Sequence, residues 1–88
     1  MVVHLAAEMD FYPQNPESVI TTNVEGTRNL LRACARDVRR RGNAGKMRFV
    51  FISSTEAMGA ASNPEGKPAT EDDPCNPDSV YGLSLIHI

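Results

Sequence analysis

Cysteine is scarce in this chain: Cys34 and Cys75 are the only two among 88 residues. They form no C-x-x-C pair and stand near no histidine cluster, which argues against a thiolate metal site or a redox dithiol. Both are expected to be reduced thiols of a cytoplasmic protein, unpaired with each other. No charged-then-apolar segment opens the chain, and no apolar run approaches membrane length, so neither a signal segment nor a span is read in these residues. Charge of one sign is not in excess. Nine Lys and Arg against eleven Asp and Glu give a net charge of −2, which offers no general attraction to nucleic acid or an anionic membrane. No repeat or low-complexity tract occurs.

What is present suits a small globular unit. The hydrophobic fraction is 41%, and the length fits one small domain or a piece of a larger one. Val2 to Ala7 is a short apolar run that reads as a buried strand of a parallel sheet. A polar loop follows, and Asn15-Pro16-Glu17-Ser18 reads as a helix start. Asn15 can cap, Pro16 suits the first helical position, and Glu17 favours the positive end of the dipole. Ile20, Val24, Thr27, Leu31, Cys34 and Val38 then predict one continuous buried helix face. Arg39, Arg40 and Arg41 suit its last turn, and Gly42 its stop. Met47 to Ser54 is a second strand, rich in β-branched and aromatic residues. Residues 56–79 form a long Pro- and Gly-containing loop, of a length that is usually functional in a compact domain. Ser79-Val80-Tyr81-Gly82 opens another helix.

The order strand, helix, strand, loop, helix start is one βαβ unit with a right-handed crossover. Ligands of such sheets bind beyond the carboxyl ends of the strands. Those ends are Leu5-Ala6-Ala7 and Ser53-Ser54-Thr55, which would open onto one crevice.

Four blocks, "VVHLAA" at 2–7, "NVEGTRNLLRAC" at 23–34, "FVFISSTEAMG" at 49–59 and "EDDPCNPDSVYG" at 71–82, resemble the extended short-chain dehydrogenase/reductase family. That family includes NAD-dependent sugar-nucleotide epimerases and dehydratases and 3β-hydroxysteroid dehydrogenase-like enzymes. The resemblance covers the chain up to Gly82. It implies an α/β fold, a partial Rossmann-type doubly wound parallel sheet, with residues 1–82 a fragment of an NAD(P)-binding domain. It implies NAD or NADP as cofactor and a small-molecule, alcohol-bearing substrate such as a sugar nucleotide or sterol, with a homodimer possible for the parent protein. Leu5, Ala6 and Ala7 match the segment lining the nicotinamide-side ribose, and Asn23 matches an asparagine near cofactor and active site. Ser54 matches the hydroxyl that holds the reacting substrate oxygen. Tyr81 matches the catalytic tyrosine of Y-x-x-x-K, which also meets the cofactor.

The chemistry explains these residue types. Hydride transfer at a carbinol carbon needs a base for the hydroxyl proton. Free tyrosine titrates at about 10, so a tyrosine base needs positive charge close by. The family draws it from a lysine four residues on and from the oxidised nicotinamide. A serine hydroxyl orients the same oxygen and stabilises transition-state charge.

The lysine position holds Leu85, which supplies no charge, so catalysis by this chain is expected to be poor. The tail "LSLIHI" at 83–88 departs from the family after Leu83-Ser84. It matches the translation of a transposase-adaptor DNA end used in sequencing libraries, and a non-native tail is expected from residue 83 or 85 to 88, in place of a continuation Tyr-Gly-x-Ser-Lys that keeps serine at position 84. The family's first strand, Gly-rich turn and phosphate-facing helix have no counterpart here, so the main dinucleotide loop is expected upstream, and an apolar sheet edge is expected to stand open. A degenerate relative that senses dinucleotide without catalysis is the alternative reading, and Leu85 at face value supports it.

Other features read as structural. His4 is expected to be a strand residue with a satisfied ring. Ser53 and Glu56 read as strand-end and loop-start polar groups, and Gly26 with Thr27 as close helix–sheet packing. "GNAG" at 42–45 precedes a strand, so it is no phosphate cradle. The basic run from Arg36 to Lys46 lacks interleaved aromatics and reads as a solvated helix end, not a nucleic-acid surface. No metal site is expected. Genomic DNA read from the codon of Gly82 onward is expected to carry a lysine codon at position 85. A leucine codon there, followed by the same tail, would make the degenerate reading the correct one.

Overall fold

The computed structural model describes residues 1–42, 45–59 and 66–88. Strands β1 (Val2–His4) and β2 (Phe49–Phe51) pair in parallel, with Val2 opposite Phe49, Val3 opposite Val50 and His4 opposite Phe51. Between them run helix α1 (Pro16–Ile20), a π-helical segment (Thr21–Glu25) and helix α2 (Gly26–Arg41). A 3-10 turn (Thr55–Ala57) follows β2, and helix α3 (Val80–Ile86) closes the described chain. This is the expected βαβ unit and helix start; residues 60–65 of the expected loop lie outside the described residues.

Both strands are shorter than the apolar runs suggest. Leu5, Ala6 and Ala7 lie outside β1 and are exposed. Their path is set by the Asn23 side chain, which takes both the N–H and the carbonyl of Glu8. β2 adds one ladder bond, from Ile52 N–H to the His4 carbonyl (3.1 Å). It then stops where the Ser54 hydroxyl accepts from the Glu56 N–H (3.2 Å) and caps the 3-10 turn. Nor is β1 buried on both faces. Side chains alternate across a strand, and the paired Val3 and Val50 on one face are 45 and 38% exposed. On the other face His4 is buried. Its Nε2 and the Thr27 hydroxyl lie 2.7 Å apart, and its ring tilts against Phe49 and Phe51. His4 is therefore the satisfied strand residue it was expected to be.

The helix face needs a larger correction. The buried line is Val19 (0%), Asn23 (2%) and Thr27 (1%), whereas Leu31 is 42% exposed. In a regular α-helix every fourth residue drifts about 40° around the axis. The π segment holds more residues per turn and takes that drift back, so three residues spaced by four stay in line. Of the apolar residues expected on that face, Leu31 is exposed, while Ile20, Val24, Cys34 and Val38 are half-buried. At the helix start Asn15 makes no side-chain cap. Its carbonyl accepts from the Ser18 N–H instead (3.2 Å). Gly42 ends α2 with φ +65°, the left-handed conformation that a glycine stop supplies without steric cost. Arg40 and Arg41 both reach Asp37, at 3.4 and 2.9 Å. Such exposed pairs contribute little stability. Cys34 and Cys75 are both free.

The molecule is a slab of 49 × 32 × 15 Å with a radius of gyration of 15.5 Å, against roughly 12 Å for a compact chain of this length. Fully buried contacts are therefore few among the described residues, and each polar one carries weight. Replacing Thr27 by Val keeps the volume and strands the His4 ring. Urea unfolding is expected to show a loss of about 1–3 kcal/mol, and an unchanged midpoint would contradict the role given to this bond.

Candidate active site

Three segments converge beyond the carboxyl ends of the strands: residues 5–12 after β1, 54–59 after β2, and 79–85 at the start of α3. Ser79 holds the third. Its backbone is extended, and its hydroxyl accepts from the Gly82 N–H (3.0 Å) while donating to Glu56 Oε2 (3.1 Å). The helix cap and the turn after β2 are thus joined through one hydroxyl. Gly82 is buried directly against the turn, and a Cβ there would overlap the Glu56 carbonyl. Gly59, at φ +72°, is pressed equally hard on the Asn76 carbonyl, and the Asn76 N–H donates to the Met58 carbonyl (3.0 Å). Neither position has room for a side chain.

Tyr81 is 7% exposed and packs with Ala57, Leu85 and the half-buried Phe51. Its ring stacks on Phe11 at 5.7 Å between centroids and 25° between planes. The Val80 N–H donates to the Phe11 carbonyl (3.1 Å), so the loop after β1 is tied to α3 at this point.

Asn23 is the hub behind this surface. Its Oδ1 accepts from the Glu8 N–H (2.8 Å), and its Nδ2 donates to the Glu8 carbonyl (3.0 Å) and to the Ser84 hydroxyl (2.8 Å). Ser84, with no exposed surface, donates in turn to the Tyr81 carbonyl (2.7 Å). A buried amide with this many partners is well satisfied.

The residues singled out from sequence fall into three groups. Ala6 and Ala7 are exposed and line an open, mainly apolar cleft of about 600 Å³ with His4, Glu8, Thr22, Gly26 and Leu30. Leu5 stands beside them, 69% exposed. Asn23 and Tyr81 are linked through Ser84. Ser54 is half-buried, with its hydroxyl occupied by the turn, and among the described residues no hydrogen bond joins it to Tyr81. Glu56 is engaged by Ser79, in keeping with a structural reading. Gly26 differs from expectation. It is exposed and a Cβ there would meet nothing within 4 Å, so Thr27 alone does the close packing. No group of three metal-ligating side chains occurs among the described residues, and no helix there is long and apolar enough to cross a membrane. Residues 43–44 of "GNAG" lie outside the described residues.

Sequence reasoning placed Ser79 at a helix start but missed its bond to Glu56, and it missed Ser84, Phe11 and Glu8. Ser79 before an apolar helical run carries a cap signal. Ser84 carries none, because its partner Asn23 is 61 positions away.

The profile of the NAD dependent epimerase/dehydratase family matches residues 1–88. The chain belongs to this family. It is 38% identical over 85 residues to a dTDP-glucose 4,6-dehydratase of Streptomyces griseus, and 40% identical over 85 residues to one of Mycobacterium tuberculosis. Both alignments cover 94% of this chain and 23% of the relative. Among solved structures it resembles a short-chain dehydrogenase/reductase superfamily protein of Agrobacterium tumefaciens with bound NAD. The TM-score is 0.74 and the identity 42%, over 98% of this chain and 24% of that one. The chain therefore spans about a quarter of the length of these relatives. The fold is a portion of a Rossmann-type sheet, as the resemblance implied.

Because Gly82 has no space for a methyl group, Gly82→Ala is expected to cost about 1–3 kcal/mol through overpacking. Thermal unfolding measures this, and a melting temperature equal to that of the parent chain would contradict the contact with the turn.

Proposed function

We propose that this chain carries the nicotinamide-facing half of the active site of an NAD-dependent epimerase or dehydratase that oxidises a hydroxyl of a nucleotide-linked sugar. The observation that carries this reading is the seating of Tyr81. The first turn of α3 is clamped to both strand-end segments, Phe11 on one side and Glu56 on the other, at the crevice where α/β sheets bind ligands. The dehydratase relatives favour a nucleotide-linked sugar over a sterol, and the NAD of the structural relative favours NAD over NADP.

The residues present fit a dinucleotide. Ala6 and Ala7 expose small side chains on the 600 Å³ cleft, which lets a ribose and a flat ring approach the backbone. Leu5, Ala6 and Ala7 would line the ribose. Asn23 would act on it indirectly, by holding the Glu8 backbone, because its own donors are already committed. When bound, the dinucleotide supplies the acceptor for hydride from the carbinol carbon. Tyr81 would take the hydroxyl proton as general base, and the Ser54 hydroxyl would hold the same oxygen. Leu85 lies in the apolar cluster with Tyr81, so this chain adds no positive charge there. A second reading, a dinucleotide-sensing relative without chemistry, rests on that leucine.

The test is a chimera in which residues 1–88 replace the matching segment of the Mycobacterium tuberculosis dehydratase, with reduced nicotinamide followed by absorbance after dTDP-glucose is added. Leu85→Lys is expected to raise the rate about 10²–10⁴-fold, the usual worth of a tuned acid–base group. Tyr81→Phe in that background is expected to remove the gain. NAD binding with no gain from Leu85→Lys would favour the sensor, and no NAD binding would overturn both readings.

A further inference from the structure

We propose that Ser84 is a positioning residue for Tyr81. Its buried hydroxyl passes the constraint set by Asn23 to the helix turn that carries the tyrosine. The inference rests on the functional reading of Tyr81 and names what holds that residue in register with the segment after β1.

The geometry has three parts. First, Ser84 has no exposed surface, and its hydroxyl is used twice, accepting from Asn23 Nδ2 at 2.8 Å and donating to the Tyr81 carbonyl at 2.7 Å. A helical serine can bond a carbonyl one turn back; here the same oxygen also receives a donor from outside its helix. Second, Asn23 is held independently, by two bonds to the Glu8 backbone. It sits in the π segment, a kind of irregularity that often marks a functional site, and that segment keeps it in line with the buried Val19 and Thr27. Third, Glu8 directly follows Ala6-Ala7, the exposed pair lining the cleft. The path Ala7–Glu8–Asn23–Ser84–Tyr81 is therefore continuous, and every link but the covalent one is a hydrogen bond of 3.0 Å or less. Ser84 touches no site for substrate or cofactor. It acts on Tyr81 through the backbone, and so sets where the ring meets Phe11 and the crevice.

The composition provides a direct readout. The chain has no tryptophan and two tyrosines, and Tyr12 is 79% exposed. In the full chain with Tyr12→Phe, the near-ultraviolet circular dichroism band of tyrosine reports Tyr81 alone. Ser84→Ala removes one oxygen and leaves the Asn23–Glu8 bonds in place. It is expected to collapse the band toward that of free tyrosine, to leave the far-ultraviolet helix signal unchanged, and to leave the Glu8 amide protected from hydrogen exchange. Asn23→Ala is expected to lose the band and to speed Glu8 exchange roughly fivefold or more, the loss of a hydrogen bond. Ser84→Thr, which restores a hydroxyl, is expected to recover the band. Three results would overturn the proposal: an unchanged band in Ser84→Ala, a parallel loss of helix signal in that variant, or no recovery with threonine. The first would mean that the ring is held without the hydroxyl. The second would make the hydroxyl a folding requirement and nothing more. No cofactor or turnover enters this experiment, so its failure is distinct from failure of the functional reading, which only the chimera can contradict.

Discussion

One buried amide organises this molecule. Asn23 spends three hydrogen bonds on two partners that lie far from it in sequence, the Glu8 backbone and Ser84. A two-stranded sheet with one bare face and a slab 15 Å thick has little apolar burial with which to hold loops in place. Polar contacts with good geometry and no exposure to water then do a larger share of the fixing, since leaving any one of them unmade costs the full desolvation of its partner. Through that side chain, set inward by the π segment, the turn of the chain after β1 is joined to α3.

A second hydroxyl closes the arrangement from the other strand. Ser79 caps α3 and holds Glu56, while the bare backbones of Gly59 and Gly82 allow the turn after β2 to lie against loop and helix. The two clamps make the strand ends and the tyrosine a single surface. They also account for Glu56 as a structural group in this chain, since its carboxylate already accepts from the cap. Leu85 stands apart from this order. It packs well beside Ala57 and Tyr81, so the fold accepts it readily, although the chemistry assigned to the position needs a cation.

Much of this was legible in the residues themselves. Pro16, the Arg39–Arg41 run, Gly42 and Ser79-Val80-Tyr81 mark helix ends by local chemistry that needs no partner, and the described boundaries follow them. The βαβ order came from patterning, and the crevice from the order. The buried face of the crossover helix came only in part. Thr27 was read on it and is buried, but a π segment rephases the helix, puts Asn23 inside and leaves Leu31 exposed. Nothing local announces Asn23, because the partners that satisfy it, Glu8 and Ser84, are distant. The strands were overestimated for a related reason: Leu5-Ala6-Ala7 is apolar enough to extend β1, but β2 stops at Phe51 and Asn23 holds the Glu8 backbone just beyond. Ser84 was invisible because a serine inside a helix has no distinctive spacing.

The central claim is that Asn23 and Ser84 act as one unit. A double-mutant cycle tests it most directly, with Asn23→Ala, Ser84→Ala and the pair each measured by denaturant unfolding of the whole chain. The account predicts a coupling energy of about 0.5–3 kcal/mol, the range for residues sharing a hydrogen-bond network. Additive losses would mean that the two side chains stabilise the fold separately, and that Tyr81 is seated by Phe11 and Ser79 without them.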